Sequence, residues 1–94
     1  MSFKSHDIDY PGKVLFIDCE YWGDKEECRE DVQKALDKHG VKLEFRVGNT
    51  RWIGFYLVPL DESQESEFVK ILPPILEEEL NYPVEIGDLK NPWV

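Results

Sequence analysis

The chain has 94 residues, enough for one domain with a single modest hydrophobic core. Its 41% hydrophobic content, with five Phe, four Tyr and three Trp, excludes a disordered chain. Twenty acidic against eleven basic residues give a net charge of −9, which disfavours direct nucleic-acid binding through phosphates, since that requires a basic footprint.

The charge is unevenly spread. Residues 1–40 carry a net −4, residues 41–60 a net +2, residues 61–80 a net −6 and residues 81–94 a net −1. No apolar run approaches the ~20 residues of a membrane-spanning helix. The first residues, Met1 to Asp7, lack the apolar stretch of a secretory signal, so a cytoplasmic location is expected. Cys19 and Cys28 are not spaced as a CxxC pair and read as two buried thiols, paired only if the protein is exported.

Residues 1–12 read as an irregular arm ending in the turn pair Pro11-Gly12. His6, Asp7 and Asp9 are metal-ligand types, but polar residues crowded in a terminus have a simpler reading as solvated groups. Neither a metal nor a cofactor is expected.

Lys13 to Trp22 is the first predicted strand, apolar on both faces at Val14-Leu15-Phe16-Ile17. Carrying the alternation onward places Leu15, Ile17, Cys19 and Tyr21 on one side and Phe16, Asp18, Glu20 and Trp22 on the other. Gly23 ends the strand, and Asp24 with Glu27 three residues on has capping-box spacing. Cys28, Val32, Ala35, Leu36 and His39 then form one stripe at helical spacing, stopped by Gly40.

Val41, Leu43, Phe45 and Val47 alternate with Lys42, Glu44 and Arg46, as in a strand with one wet face. Gly48-Asn49-Thr50 reads as a turn, and residues 51–58 as a second, more apolar strand halted by Pro59. Asp61 and Gln64 have capping-box spacing before a helix that buries Phe68, Val69, Ile71 and Leu72. Pro73-Pro74 predicts a break there, with a short helix from Pro74 to about Leu80. A last strand runs from Pro83 to Ile86, and residues 89–94 form a tail beyond a domain of residues 13–88.

The resulting order, β-α-β-β-α-β, predicts an α+β fold of the ferredoxin-like class: a four-stranded antiparallel sheet with two helices on one face. The first and third strands are then central, and the other sheet face is open. Phe16, Trp22, Lys42, Arg46, Trp52 and Tyr56 are its expected partner-binding residues, because aromatic rings and Arg dominate protein interfaces. Partner binding, self-association and coverage by the chain's own termini all account for that composition.

Two resemblances attach to these residues. Leu15-Phe16-Ile17-Asp18 resembles the first-strand motif of the RNA recognition motif, and Arg51, Gly54 and Phe55 fit three positions of its longer motif. Trp52 and Ile53 depart from that motif. Asp18, at a strand end, and Lys38-His39-Gly40 resemble features of the small nucleases of CRISPR adaptation, which implies metal-dependent nuclease chemistry at Asp18. The serine-containing stretch of that family is absent.

Otherwise no catalytic signature is present. Gly23-Asp24-Lys25 lacks the surroundings of a phosphate loop, and Cys28 and His39 lie about three helical turns apart. The leading expectation is a non-enzymatic, acidic protein-interaction module of the inhibitor or immunity type. Its acidic helix surface, Asp61, Glu62, Glu65, Glu67 and Glu77, Glu78, Glu79, would mimic nucleic acid towards a basic macromolecular partner. The alternative is a homodimeric ligand-binding or regulatory domain that uses the open sheet face.

Overall fold

The structure, a computed structural model, describes residues 8, 10–17, 22–49 and 54–89. It contains strand β1 (Lys13–Ile17), helix α1 (Lys25–Lys38), strands β2 (Phe45–Asn49) and β3 (Phe55–Pro59), helix α2 (Glu65–Leu80) and strand β4 (Val84–Asp88). The four strands form one antiparallel sheet in the order β2-β3-β1-β4, so β1 and β3 are central. Their apolar sequences suit positions with a strand on either side. No described helix is long and apolar enough to cross a membrane.

Both helices pack on the sheet face that carries Leu15, Ile17, Val47, Phe55 and Leu57. Helix α1 starts as its sequence demands: the Asp24 carboxylate accepts from the Glu27 N–H at 3.0 Å, satisfying a donor that has no intrahelical partner. Its buried stripe is Cys28, Val32, Ala35 and Leu36. His39 leaves the stripe. It is the exposed C-cap, followed by Gly40 at φ 70°.

Helix α2 differs from expectation. Asp61 caps a 3-10 turn, Glu62–Gln64, accepting from both the N–H and the hydroxyl of Ser63; these bonds, the backbone one first, hold its carboxyl below the usual range. The α-helix then runs unbroken from Glu65 to Leu80 through Pro73 and Pro74. By the helical i to i−4 pattern the two rings deprive the carbonyls of Val69 and Lys70 of partners. Pro74 and Lys70 are exposed, so water reaches this side. Phe68, Leu72 and Leu76, fully buried on the opposite side, hold both halves of the helix onto one core. Packing overrides the local breaker.

The hairpin also shifts. Val41, Leu43, Phe45 and Val47 all join the helix-side core as their alternation indicates, but regular pairing begins only at Phe45 and includes Gly48 and Asn49. Gly48 is therefore a strand residue, with no positive φ. Its Cα lies opposite Tyr56, and a Cβ there would stand 2.2 Å from Tyr56 Cζ. The missing side chain makes room for the ring.

Candidate functional site

The sheet face away from the helices holds a second core. Val14, Tyr56 and Val58 from the sheet are buried together with Ile8, Tyr10 and Leu89, and half-buried Phe16 packs against them. The face expected to be open is closed by the chain itself. Leu89, assigned by sequence to the tail, is part of that closure.

Two polar contacts fix Ile8 and Tyr10 in place. The Tyr56 hydroxyl accepts from the Ile8 N–H at 2.8 Å and donates to the Ile8 carbonyl at 3.3 Å. One side chain thus satisfies both backbone groups of a buried residue, as a neighbouring strand would. The Tyr10 hydroxyl donates to Glu65 Oε1 at 2.7 Å, and the Lys13 N–H donates to the same oxygen at 3.1 Å. Burial, then the hydrogen bond to the Glu65 carboxylate, raise the Tyr10 hydroxyl well above the ordinary tyrosine range. Gly12 lets that carboxylate approach the backbone, since a Cβ would overlap Glu65 Oε1 at 1.8 Å.

The sequence-predicted face residues therefore separate. Tyr56 is fully buried, and its ring lies 6.0 Å from that of Phe16. Trp22 is on the other side of the sheet: it is buried in the helix-side core, meets Phe55 edge-on at 5.5 Å, and donates from Nε1 to Asp31 at 2.8 Å. Trp22 is not itself a strand residue, and residues 18–21 lie outside the described residues, so its side is set by this packing and not by strand alternation. Lys42 and Arg46 are exposed, Lys42 ahead of β2 and Arg46 within it. Trp52, Asp18, Cys19, His6, Asp7 and Asp9 lie outside the described residues. Among the described residues no three His, Cys, Asp or Glu side chains are grouped as a metal would need.

The acidic helix surface also separates by role. Asp61, Glu62, Glu67 and Glu78 are exposed. Glu65 is committed to Tyr10 and Lys13. Glu77 is exposed, but its carboxylate accepts from the Val84 N–H at 3.0 Å. Glu79 is half-buried between His39 Nε2 at 2.9 Å and Lys38 Nζ at 3.2 Å, and these partners, His39 first, lower its pKa. Lys38 and Glu79 also line a shallow open groove of about 330 Å³ between the helices, together with Asp31, Lys34, Ala35 and Leu80.

One exposed feature escaped sequence reasoning. Ile86 on edge strand β4 is 53% exposed, beside exposed Glu85. The predicted order, with the first and third strands central, already puts the last strand at an edge; the exposure of Ile86 there is what the alternation of Val84, Glu85 and Ile86 does not reveal. In comparisons with protein-family models, curated proteins and solved structures, nothing matches this chain.

Proposed function

We propose that this protein is a non-enzymatic interaction module of ferredoxin-like architecture whose acidic surface receives a basic macromolecular partner. The β-α-β-β-α-β order, the central β1 and β3, and the shared helix-side core support the architecture. Fold alone does not fix function.

The observation that carries the functional reading is the closure of the second sheet face. With Tyr56 and Val58 buried against Ile8 and Tyr10, the described aromatics of that face, Phe16 and Tyr56, are engaged in the chain's own packing. On α1, exposed Glu26, Glu27, Glu30 and Asp37 are nearly balanced by exposed Lys25, Arg29, Lys34 and Lys38, whereas exposed carboxylate predominates on the α2 side, where Asp61, Glu62, Glu67 and Glu78 are offset only by Lys70. Such a surface attracts cationic partners over distances of about a Debye length and accelerates their encounter.

The test is capture from host extract at low and at high salt. The wild type retains a basic protein at low salt and releases it at high salt. The variant Asp61→Asn/Glu62→Gln/Glu67→Gln/Glu78→Gln retains less. If the wild type retains no basic partner at low salt, the proposal is lost.

A further inference from the structure

Among the described residues no strand pairs with the outer edge of β4, and that edge has the means to take an added strand. The Val84 N–H is directed to Glu77 Oε2 at 3.0 Å rather than to β1. In an antiparallel ladder the backbone groups of successive residues alternate between the two sides of a strand. Val84 and Ile86 therefore face out of the sheet, while Glu85 and Gly87 face β1. The other strand of the ladder agrees: Lys13, opposite Asp88, sends its N–H to Glu65, away from β4.

The side chains sort in the same way. Ile86 lies opposite Leu15 and so shares the helix-side face, where it is 53% exposed. Glu85 lies opposite Phe16 on the other face and is exposed. Glu77, also exposed, flanks the edge from α2. An apolar side chain with outward backbone groups is thus framed by carboxylates. Neither a lysine nor a proline stands within Val84–Asp88, and the charges that guard this edge, Glu85, Asp88 and Glu77, are all carboxylates, which repel an acidic strand and admit a basic one.

We propose that β4 binds an extended basic segment of another protein by strand addition, with Glu77 as a placeholder on the Val84 N–H. The incoming strand presents an apolar residue opposite Ile86 and Lys or Arg opposite Glu85. A carbonyl of the segment takes over the Val84 N–H, and the displaced Glu77 carboxylate pairs with a cationic side chain. Charge selects this occupant over a second copy: each copy carries −9 and would bring the same carboxylates to the contact. Backbone pairing supplies affinity and the alternate side chains supply specificity. The inference rests on reading the protein as an acidic interaction module, and it adds where the partner docks and in what conformation.

The test uses the full chain, labelled with 15N, and a capped Lys-Val-Lys-Val-Lys-Val-Lys peptide. Amide shifts concentrated at Val84–Asp88 and Glu77, with slowed exchange of the Ile86 amide, are expected. The same peptide N-methylated at alternate residues keeps its charge but lacks the pairing donors, and should bind at least about tenfold more weakly, one lost hydrogen bond being worth about that factor. Ile86→Pro, which removes the outward N–H, should match that loss. The peptide comparison decides the matter even if this variant fails to fold.

Equal binding of both peptides, or shifts centred on Asp61, Glu62 and Glu67, overturns strand addition while leaving the acidic module standing. A wild-type dimer that Ile86→Pro returns to monomer also overturns it, because a second copy then occupies the edge. Failure of both peptides to bind at low salt overturns it too. If host extract still yields a basic partner, only the edge is wrong; if it does not, the functional reading fails with it.

Discussion

Replacing Tyr56 by Phe removes one oxygen and leaves the ring, so it isolates what the hydroxyl does for the second core. The hydroxyl is the partner of both backbone groups of Ile8, which is 8% exposed. Without it the Ile8 N–H stays buried with that acceptor gone, a penalty of about 1–3 kcal/mol. The alternative is for the segment to lift away and solvate that N–H. That forfeits the burial of Ile8 and Tyr10, at about 1.5–3 kcal/mol per large side chain, so lifting gives no cheaper escape. For a domain of this size the loss corresponds to a melting temperature lower by about 5–15 °C. Thermal unfolding followed by circular dichroism measures it, and hydrogen exchange at the Ile8 amide shows whether protection there falls more than in α1. An unchanged melting temperature together with unchanged Ile8 exchange would refute the claim that Tyr56 anchors this segment.

Gly48→Ala should destabilise by about 1–3 kcal/mol, the usual cost of overpacking, because its Cβ would stand 2.2 Å from Tyr56 Cζ; denaturant titration reads the shift in midpoint. Glu79→Gln should cost stability near neutrality but not in acid. Its lowered pKa means the stabilisation is present above the unfolded carboxylate value, 4.5, and disappears as pH falls through the folded one, so wild-type and variant melting curves should converge there. Tyr10 has the opposite sign: its raised pKa gives stability that is full below 10.0 and declines above it, as the unfolded chain ionises first. Alkaline unfolding of Tyr10→Phe should therefore show a weaker pH dependence than that of the wild type.

Much of the fold was legible in the sequence because its signals are local. Asp24 and Glu27 mark the start of α1 with groups three residues apart, and the alternation from Val41 to Val47 fixes which side chains face the helices. Readings that depended on distant partners went astray. Gly48 looks like a turn residue because glycine serves both positive φ and close approach, and only Tyr56 across the ladder reveals the second use. Pro73-Pro74 breaks an isolated helix, but Phe68, Leu72 and Leu76 already bind both halves of α2 to one core. Strand alternation puts Trp22 on the wrong face because Trp22 is not a strand residue, and its side is set by packing against Phe55 in the helix-side core.

The candidate site was less legible for a reason that bears on function. Whether aromatic residues on a sheet bind a partner or form a core depends on what covers them, and here the cover comes from Ile8 and Tyr10, nearly fifty residues from Tyr56 in sequence. Glu65 shows the same dependence among the acids. Its carboxylate holds Tyr10 and Lys13, so it belongs to the cover and not to the charged exterior. Neutralising Glu65 should therefore lower stability, whereas neutralising Glu62 or Glu67, both exposed, should lower affinity for a cationic partner at little cost in stability. That division turns a run of like charges into two physically distinct sets. It also directs attention to the exposed carboxylates and to β4, where backbone and charge are offered together.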